Sequence, residues 1–341
     1  MKHMSDQNRT VFQYESGTYA VTNTSGTRQW LGLVQTHDLT PNMNTIQIRY
    51  QGSTDRNVDD FADGKKEWNG TINYFPQDWK FLGFALGSIT TISGTGTDGL
   101  YHAFTETNSD DQVQDVPLSL ESFTIEDSKN MGHAGSNFIR TTIGGMVDSY
   151  TINFAQGEIV SADIEYVAQD STLSSGAVTA VTPTTTKPWM FNNVKLSIPS
   201  GTAITNLKDG TFKVSNNLEA GFYLNGSRVA NELMPMNREY ECTATCDMDE
   251  GNARTLYNSY YIAGSEFNGY LNITGVAGSL YLYMSGCKMT DMGIPSSLEG
   301  VQEQSFTFIP SHVAGSVFDS IRAYNNWWFT FNLIFQKVIE I

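Results

Sequence analysis

Cysteine, proline and basic side chains are scarce in this chain. Only 3 of its 341 residues are Cys and 9 are Pro, against 30 Gly. An odd cysteine count excludes a framework in which every cysteine is paired in a disulfide. Lys and Arg number 20, are scattered along the chain and are outnumbered by 36 Asp and Glu, which gives a net charge of −16. Because binding to phosphate groups needs clustered cations, this balance argues against a nucleic-acid-binding protein.

Long apolar runs are also missing. No run reaches the length of a membrane span, and the first ten residues, MKHMSDQNRT, contain no apolar segment, so we expect neither a membrane span nor a signal peptide. The most apolar stretch, residues 326–341, is NWWFTFNLIFQKVIEI. Its alternation suits a strand added to a sheet edge, and we expect it to be covered within the domain or by another subunit.

The sequence carries no recognisable catalytic or metal-binding motif. The five histidines lie far apart, and no HExxH, GxSxG, P-loop or strand-linked GxGxxG pattern occurs. Asp110, Asp111 and Asp115 lack the regular spacing of calcium ligands. The calcium-loop-like start at Asp247 has Asn258 where the twelfth residue should be Glu. We therefore predict no enzyme activity, no cofactor and no metal site.

The cysteines are interpreted as core residues. Cys242 and Cys246 alternate with Ala244 on one face of a predicted strand, a position suited to small apolar side chains. Their spacing matches no zinc ribbon or finger, and no histidine lies close by. We expect them to pack in the interior.

The strongest positive signal is a pattern that occurs twice. Residues 52–88 and residues 226–265 each begin with Gly-Ser, continue through a polar, charged loop and an alternating strand, and end with a short amphipathic helix that stops at Gly-Ser. The strands are predicted over residues 68–75 and 240–248. The same order of parts at almost the same spacing predicts one β-loop-β-helix unit used twice, hence two copies of one domain.

The remaining segments indicate a mainly β protein. Period-two alternation in many short segments, with frequent turns and 12% aromatic residues, is typical of β-sandwiches and barrels. We predict two tandem β-sandwich or barrel domains, each with one short flanking α-helix. The predicted divisions are an N-terminal arm (1–27), domain 1 (28–169), a Ser/Thr-rich linker (170–188), domain 2 (189–325) and the apolar C-terminal strand or arm (326–341).

Seven segments then follow one another in a recognisable order. They are FQYESGTYA, WLGLVQTHDL, NTIQIRYQGS, EWNGTINYF, DWKFLGFALGS, SLESFTIEDSKN and SYTINFAQGEIVSADIEYVA. In this order they resemble the tail tube proteins of long-tailed viruses of bacteria and archaea. The resemblance spans most of domain 1 and, more loosely, domain 2, while the duplication and the apolar C-terminal stretch depart from it.

The resemblance implies a structural virion protein that self-assembles into stacked rings, forming the tail tube through which the genome is delivered. Such rings commonly have six tube domains, so a chain with two of them would close as a trimer with pseudo-sixfold symmetry. The implied partners are further copies of the chain, the tail terminator, the tail tip or baseplate and the tape-measure protein, in a virion tail assembled in the host cytoplasm. DNA would pass through without specific binding, which suits the acidic balance.

The resemblance also gives the charged loops a role. The loop that reaches the adjoining ring maps to residues 54–66 and, in the second copy, to residues 228–238. Its charges are expected to set the register between rings rather than to supply most of the affinity. These predicted stacking residues are Asp55, Arg56, Asp59, Asp60, Asp63, Lys65, Lys66, Arg228, Glu232 and Arg238. The other interpretation of this loop is an ordinary solvated hairpin tip.

Two other functions stay open from the sequence. A secreted or cell-surface β-sandwich adhesin or surface-layer module fits the polar, β-rich composition and the glycosylation-type sequons at Asn69 and Asn272. The missing signal peptide counts against it. The second is an enzyme on a β-scaffold, for which the sequence supplies no site.

Overall fold

The structure is a computed structural model that describes residues 8–15, 19–21, 28–50, 57–92, 101–106, 120–129, 137–176, 179, 181–199, 201–248, 250–275, 278–293 and 302–318. It is mainly β, as the sequence predicts, and its strand pairings are antiparallel throughout these ranges. The helices found there fall short of the length and apolar character that crossing a bilayer requires.

The strands are numbered in chain order. They are β1 (Asn8–Tyr14), β2 (Gln29–Trp30), β3 (Leu33–Asn42), β4 (Ile46–Ile48), β5 (Asp60–Ala62), β6 (Glu67–Phe75), β7 (Gly87–Ile92), β8 (Tyr101–Glu106), β9 (Phe123–Lys129), β10 (Phe138–Ala155), β11 (Ser161–Ala168), β12 (Asp170–Ser174), β13 (Val194–Ser197), β14 (Leu207–Ser215), β15 (Leu218–Gly221), β16 (Glu232–Pro235), β17 (Glu239–Asp247), β18 (Phe267–Gly275), β19 (Gly278–Gly293), β20 (Glu303–Ile309) and β21 (His312–Phe318). The helices are α1 (Leu82–Leu86) and α2 (Glu250–Thr255), the latter continued by a π-helical segment, Leu256–Ile262. Phe191–Asn193 forms a single 3₁₀ turn.

One eight-stranded antiparallel sheet runs through the molecule. Its strand order is β3-β6-β11-β10-β14-β17-β20-β19. The first four strands come from the first half of the chain (β1 to β12) and the last four from the second half (β13 to β21). The halves meet where Ser149 to Ala155 of β10 pair with Asp209 to Ser215 of β14. The order within each group of four is the same: the first and second of its strands in chain order lie side by side, and the fourth and then the third follow.

A second sheet covers the buried face of each half. In the first half its order is β12-β10-β9-β1-β2, and in the second half it is β13-β18-β19-β21-β8-β7. The hairpin of β7 and β8 therefore belongs to the first half in sequence but extends the outer sheet of the second half. This hairpin therefore links the two halves through backbone hydrogen bonds between β8 and β21.

The strands β10 and β19 each belong to two sheets because each bends at a glycine. Gly144 and Gly286 have φ of 64° and 56°, a left-handed conformation that favours residues without a Cβ. Both strands then have a bulge four residues later, where the register shifts past Asp148 and past Thr290. Such a bend and bulge turn one long strand from the outer sheet into the inner one.

Two asparagines repeat a finer detail. Asn44 follows β3 and Asn217 follows β14, and their φ values, 44° and 49°, are positive. The side-chain amide of Asn44 donates to the carbonyl of Lys65 (3.3 Å), and that of Asn217 donates to the carbonyl of Asn237 (2.8 Å). Each acceptor lies two residues before the next long strand. Asn tolerates the left-handed conformation because its side chain can satisfy nearby backbone groups.

The helix α1 is completely buried and ends against the second half. The amide of Asn216 donates to the carbonyls of Ala85 (3.1 Å) and Val147 (3.0 Å), and Arg238 Nη1 donates to the carbonyl of Leu86 (2.9 Å). The bonds to Ala85 and Leu86 satisfy carbonyls that the last turn of a helix leaves without an intrahelical partner, and the bond to Val147 links Asn216 to β10.

The buried apolar side chains of both halves form one contiguous cluster. Trp79, just before α1, and Trp189, from the second half, are both buried with ring centroids 5.0 Å apart. Gln77 also donates to the carbonyls of Thr184 and Thr186, which holds the connecting chain against the first half.

Three segments differ from the sequence-based interpretation. Asn8–Tyr14, inside the predicted N-terminal arm, forms a strand that buries Val11 and Phe12. Asp170–Ser174, at the start of the predicted linker, forms β12, and Gly87–Ile92, which begins at the Gly-Ser predicted to end the first helix, forms β7. All three are short segments whose strand state depends on a pairing partner, which local alternation cannot reveal. The predicted C-terminal strand, residues 326–341, lies outside the described residues.

Candidate assembly surfaces

The eight-stranded sheet has one apolar and one polar face. Along β6, Ile72 and Tyr74 enter the core, whereas Thr71 and Asn73 alternate with them on the other face. This polar face is cross-linked by side-chain hydrogen bonds between strands, from Asn73 and Asn153 to Asp163 (2.5 and 2.6 Å), from Ser149 to Glu165 (2.9 Å) and between Thr211 and Thr243 (2.8 Å). The result is a stiff surface of hydroxyl, amide and carboxylate groups.

The charge on this polar face is mainly negative. Its acidic residues, assigned by alternation with buried neighbours, are Asp38, Asp163, Glu165, Asp209, Glu239, Glu241, Asp291 and Glu303. Lys213 and Lys288 also alternate with buried residues there. Lys208 lies at the bulge of β14, where its Nζ pairs with Asp247 (2.7 Å) and Glu303 (2.6 Å). Such a surface offers few cations to a phosphate backbone.

The two ends of this sheet are open edges in the single chain. Within the described ranges, β3 is paired on one side only, with β6, and residues 288–293 of β19 are paired only with β20. Backbone donors and acceptors on such edges are available to another strand.

A buried polar cluster lies beneath the edge strand β3. His37 Nε2 and the Tyr166 hydroxyl are 2.7 Å apart, and Asp127 Oδ2 lies 3.9 Å from His37 Nδ1 and 3.3 Å from Arg140 Nη2. Burial, followed by the charges of Arg140 and Lys129, lowers the pKa of His37 to about 3, despite the nearby carboxylate. Burial raises the pKa of Asp127, and Arg140 opposes that rise. This cluster joins the edge strand to the outer sheet.

The two charged loops predicted from the sequence, residues 54–66 and 228–238, each contain the second strand of a short β-hairpin. Hairpin 1 is formed by β4 and β5, and hairpin 2 by β15 and β16. They occupy the same position, between the first two strands of each group of four, as the repeated pattern predicts.

The base of hairpin 1 contacts the tip of hairpin 2. Arg228 Nη1 lies 2.7 Å from Asp63 Oδ2, its Nε donates to the carbonyl of Gly64 (2.7 Å), and its own carbonyl accepts from the Lys66 backbone (2.7 Å). Lys65 pairs with Glu67 and lies 5.0 Å from the ring centroid of Phe222. The structure thus brings together Asp63, Lys65, Lys66 and Arg228 within one chain.

The other predicted stacking residues are dispersed. Asp59 and Asp60 accept from the backbones of Tyr50 and Phe61 (2.8 Å each) on hairpin 1, and Glu232 accepts from the Tyr223 hydroxyl on hairpin 2. Arg238 belongs to the contact with α1 instead, where its Nε also donates to Asn216 Oδ1 (2.9 Å). Asp55 and Arg56 lie outside the described residues. Contact of these side chains with an adjoining ring stays a prediction.

Sequence reasoning missed the apolar side chains that the hairpins expose. They are Ile46, Tyr50 and Phe61 on hairpin 1 and Tyr223, Leu224, Met234 and Met236 on or beside hairpin 2. Isolated apolar residues within charged loops were the only signal. Because they cluster on two projecting elements, they mark contact surfaces better than the charges do.

Three or more potential metal-ligating side chains do not come together anywhere in the described part of the chain. The three cysteines are buried, without disulfides, in the core position predicted for Cys242 and Cys246.

A family model described as phage tail tube protein matches residues 8–310. The chain belongs to the phage tail tube protein family. The resemblance inferred from the sequence is therefore confirmed.

Membership makes this a structural protein of the virion tail, in a family that is not one of enzymes and whose members assemble with themselves and with other tail proteins. A search of curated proteins finds no match to the chain.

Proposed function

We propose that the chain assembles into trimeric rings that stack into the tail tube through which the viral genome is delivered. The observation that carries the proposal is the eight-stranded sheet with the same strand order in both halves and, at each end, an edge strand that the described residues leave unpaired on its outer side. Two copies of one tube domain, residues 28–169 and 189–325, are the simplest origin of that order and of the paired bends, bulges and asparagines. Three such chains then supply six domains around one axis.

The polar face of the sheet would line the lumen. Its carboxylates repel phosphates, and several of its amide and hydroxyl groups already donate to neighbouring side chains, so DNA finds few groups to bind as it moves. The outer sheets would face away from the axis. The tail terminator, the tail tip or baseplate and the tape-measure protein are the expected further partners, and assembly is expected in the host cytoplasm.

Native mass spectrometry and cryo-electron microscopy of the purified full chain test this proposal. We expect rings of three chains with six similar wedges around a central pore, which stack into tubes at high protein concentration. Monomers at all concentrations, even with virion extract added as a nucleus, would contradict assembly. Rings of six chains would contradict the assignment of two tube domains per chain. Monomers would favour the adhesin or surface-layer alternative.

A further inference from the structure

The junction between the two halves of the chain has three parts. Strand β10 pairs with β14, and Ser149 lies opposite Ser215. Asn216 and Arg238 satisfy the end of α1 at Leu86. Leu233 of hairpin 2 is buried in a small cluster that also contains Met146 and against which Val167 packs.

Each residue of this junction has an equivalent in the opposite half, which the strand pairings define. Ser215 lies opposite Glu239, the first residue of β17, and Asn42 lies opposite Glu67, the first residue of β6. Asn216 and Met43 therefore correspond, since each is the next residue along. The bulges of β3 and β14, at Gln35 and Lys208, fall in the same register and support this alignment. The remaining equivalent pairs are Leu233 with Phe61, Val167 with Ile309, Arg238 with Lys66 and, because Gly-Ser follows both helices, Ala85 with Ile262.

The equivalents are exposed where the junction residues are covered. Ala85, Asn216 and Leu233 have relative exposures of 0%, 1% and 5%. Their counterparts Ile262, Met43 and Phe61 are 63%, 36% and 61% exposed, and Ile309 is 44% exposed. Ile262 and Ile309 lie on the second half, whereas Met43 and Phe61 lie on the first. The single chain therefore presents two complementary apolar surfaces at its two open ends.

We propose that these surfaces join neighbouring copies of the chain, so that Asp291 to Gly293 of β19 in one copy pair with Thr40 to Asn42 of β3 in the next, while Phe61 and Met43 cover Ile309 and Ile262. This inference rests on the ring proposed above and supplies its subunit contacts. Copying the register of Ser149 with Ser215 places Asp291 opposite Asn42 and Gly293 opposite Thr40. A head-to-tail contact of this kind closes into a ring rather than into a two-fold dimer.

The junction within the chain and the proposed junction between chains differ in the side chains that meet the end of the helix. Within the chain a buried amide, Asn216, meets the end of a helix, whereas between chains the apolar Met43 takes that place against Ile262. Lys66 stands in the position of Arg238 and would donate to the carbonyls that end the π-helical segment. Pro41, which would lie opposite Met292, lacks an N–H group and makes the free edge of β3 a poorer partner for unrelated strands.

Disulfide capture between two different single-cysteine variants tests the register. Full-length Asn42→Cys and Asp291→Cys chains are mixed and oxidised mildly, one of them carrying a mass tag. Directly opposed residues of an antiparallel pair have Cα atoms about 4.5–5.5 Å apart, which a disulfide can span. The matched control is Asp38→Cys with Asp291→Cys, displaced by four residues or about 14 Å along the strand. The native cysteines are buried and do not compete.

The mixed dimer from the first pair should be at least about tenfold more abundant than the dimer from the control pair, because only the first pair lies within reach of a disulfide. No excess over the control, while wild-type rings form, would overturn this junction and leave the ring proposal standing. The mixed dimer without rings or tubes in micrographs of the wild-type chain would support the junction and contradict the proposed function.

Aspartate substitutions test the apolar contacts. Phe61→Asp and Ile262→Asp should each weaken self-association by at least about 30-fold in sedimentation experiments, as expected for a residue at the centre of an interface. Phe138→Asp is the control, because Phe138 is also exposed but begins β10 in the outer sheet, about 35 Å of strand away from Ser149. Near-wild-type association of Phe61→Asp and Ile262→Asp, or an equal loss in folded Phe138→Asp, would overturn the assignment.

Discussion

His37 shows how a single side chain can connect an assembly edge to the fold. It lies on β3, whose outer side is left unpaired by the described residues, and its ring contacts Tyr166 and Asp127 on strands of the two sheets, while Asp127 in turn pairs with Arg140. The folded chain holds this imidazole neutral, since its pKa is lowered to about 3 by burial first and by Arg140 next. The unfolded chain instead has a histidine of ordinary pKa, about 6.5.

The pH dependence of stability therefore has a predictable sign at this residue. Because the folded pKa is depressed, the stabilisation is complete above about pH 6.5 and is lost as pH falls toward 3, where the unfolded chain alone takes up the proton. Between pH 7 and pH 5 the wild-type chain should lose about 2 kcal/mol more than His37→Gln, which keeps a hydrogen-bonding group near Tyr166.

Urea unfolding of the unassembled chains at pH 7 and pH 5 measures this difference. Carboxylates titrate in both proteins, so they cancel when the two are compared. The control interval is pH 7.5 to 8, where the two chains should change in parallel. Equal losses between pH 7 and pH 5 would contradict a neutral buried imidazole.

At the scale of the element, alternation was informative where a strand has one buried and one solvated face. Strands were predicted over residues 68–75 and 240–248, and β6 and β17 occupy Glu67–Phe75 and Glu239–Asp247. The prediction succeeded because buried and exposed residues alternate along both strands. Phe138–Ala155 is one strand of 18 residues that continues through Gly144 and Gly145. A glycine that bends a strand and a glycine that ends one cannot be told apart without the partner strands.

The hairpins show the same division between what sequence can and cannot reveal. Their position and charge were predictable, since Gly-Ser turns and clustered charges mark exposed loops. The contact of Arg228 with Asp63 and Gly64 was not, because it depends on how the two halves meet. That contact places the base of hairpin 1 and Arg228 of hairpin 2 in the junction between the halves, so the tip of hairpin 1 and residues 223–227 of hairpin 2 remain candidates for contact with an adjoining ring.

Shortening a hairpin tip should separate ring formation from stacking. Replacing residues 50–58 with Asn-Gly keeps β4 and β5 and should leave folded chains that form rings but only short tubes, because Tyr50 and the neighbouring tip are lost. Tube lengths in negative-stain micrographs measure the effect. Replacing residues 223–227, with Arg228 retained, should act in the same way. Neither shortened loop should change the number of chains in the ring. Tubes of wild-type length from both variants would refute a stacking role for the tips.

At the scale of the whole molecule, the distribution of charge matters more than its sum. The net charge of −16 alone could describe any acidic surface. The structure adds that one face of the continuous sheet alternates with the core and carries eight of the acidic side chains described above, in line with a wall past which a polyanion moves. This face, rather than the hairpins, should control whether DNA adheres.

Adding lysines to that face should make assembled tubes retain DNA. Thr71→Lys combined with Glu239→Lys places two cations on exposed positions of β6 and β17, and six per trimeric ring would repeat along every tube. Short duplex DNA should bind these tubes at low salt, with an affinity that falls steeply as salt rises because each phosphate contact releases counterions. Thr172→Lys with Ser174→Lys adds the same number of cations to exposed positions of β12 in an outer sheet, and any DNA bound there stays open to nuclease. Nuclease-protected DNA in the first variant only is the expected result, since a lumen excludes the enzyme. Protection that is equal in the two variants, or missing from the first, would place the polar face outside the lumen.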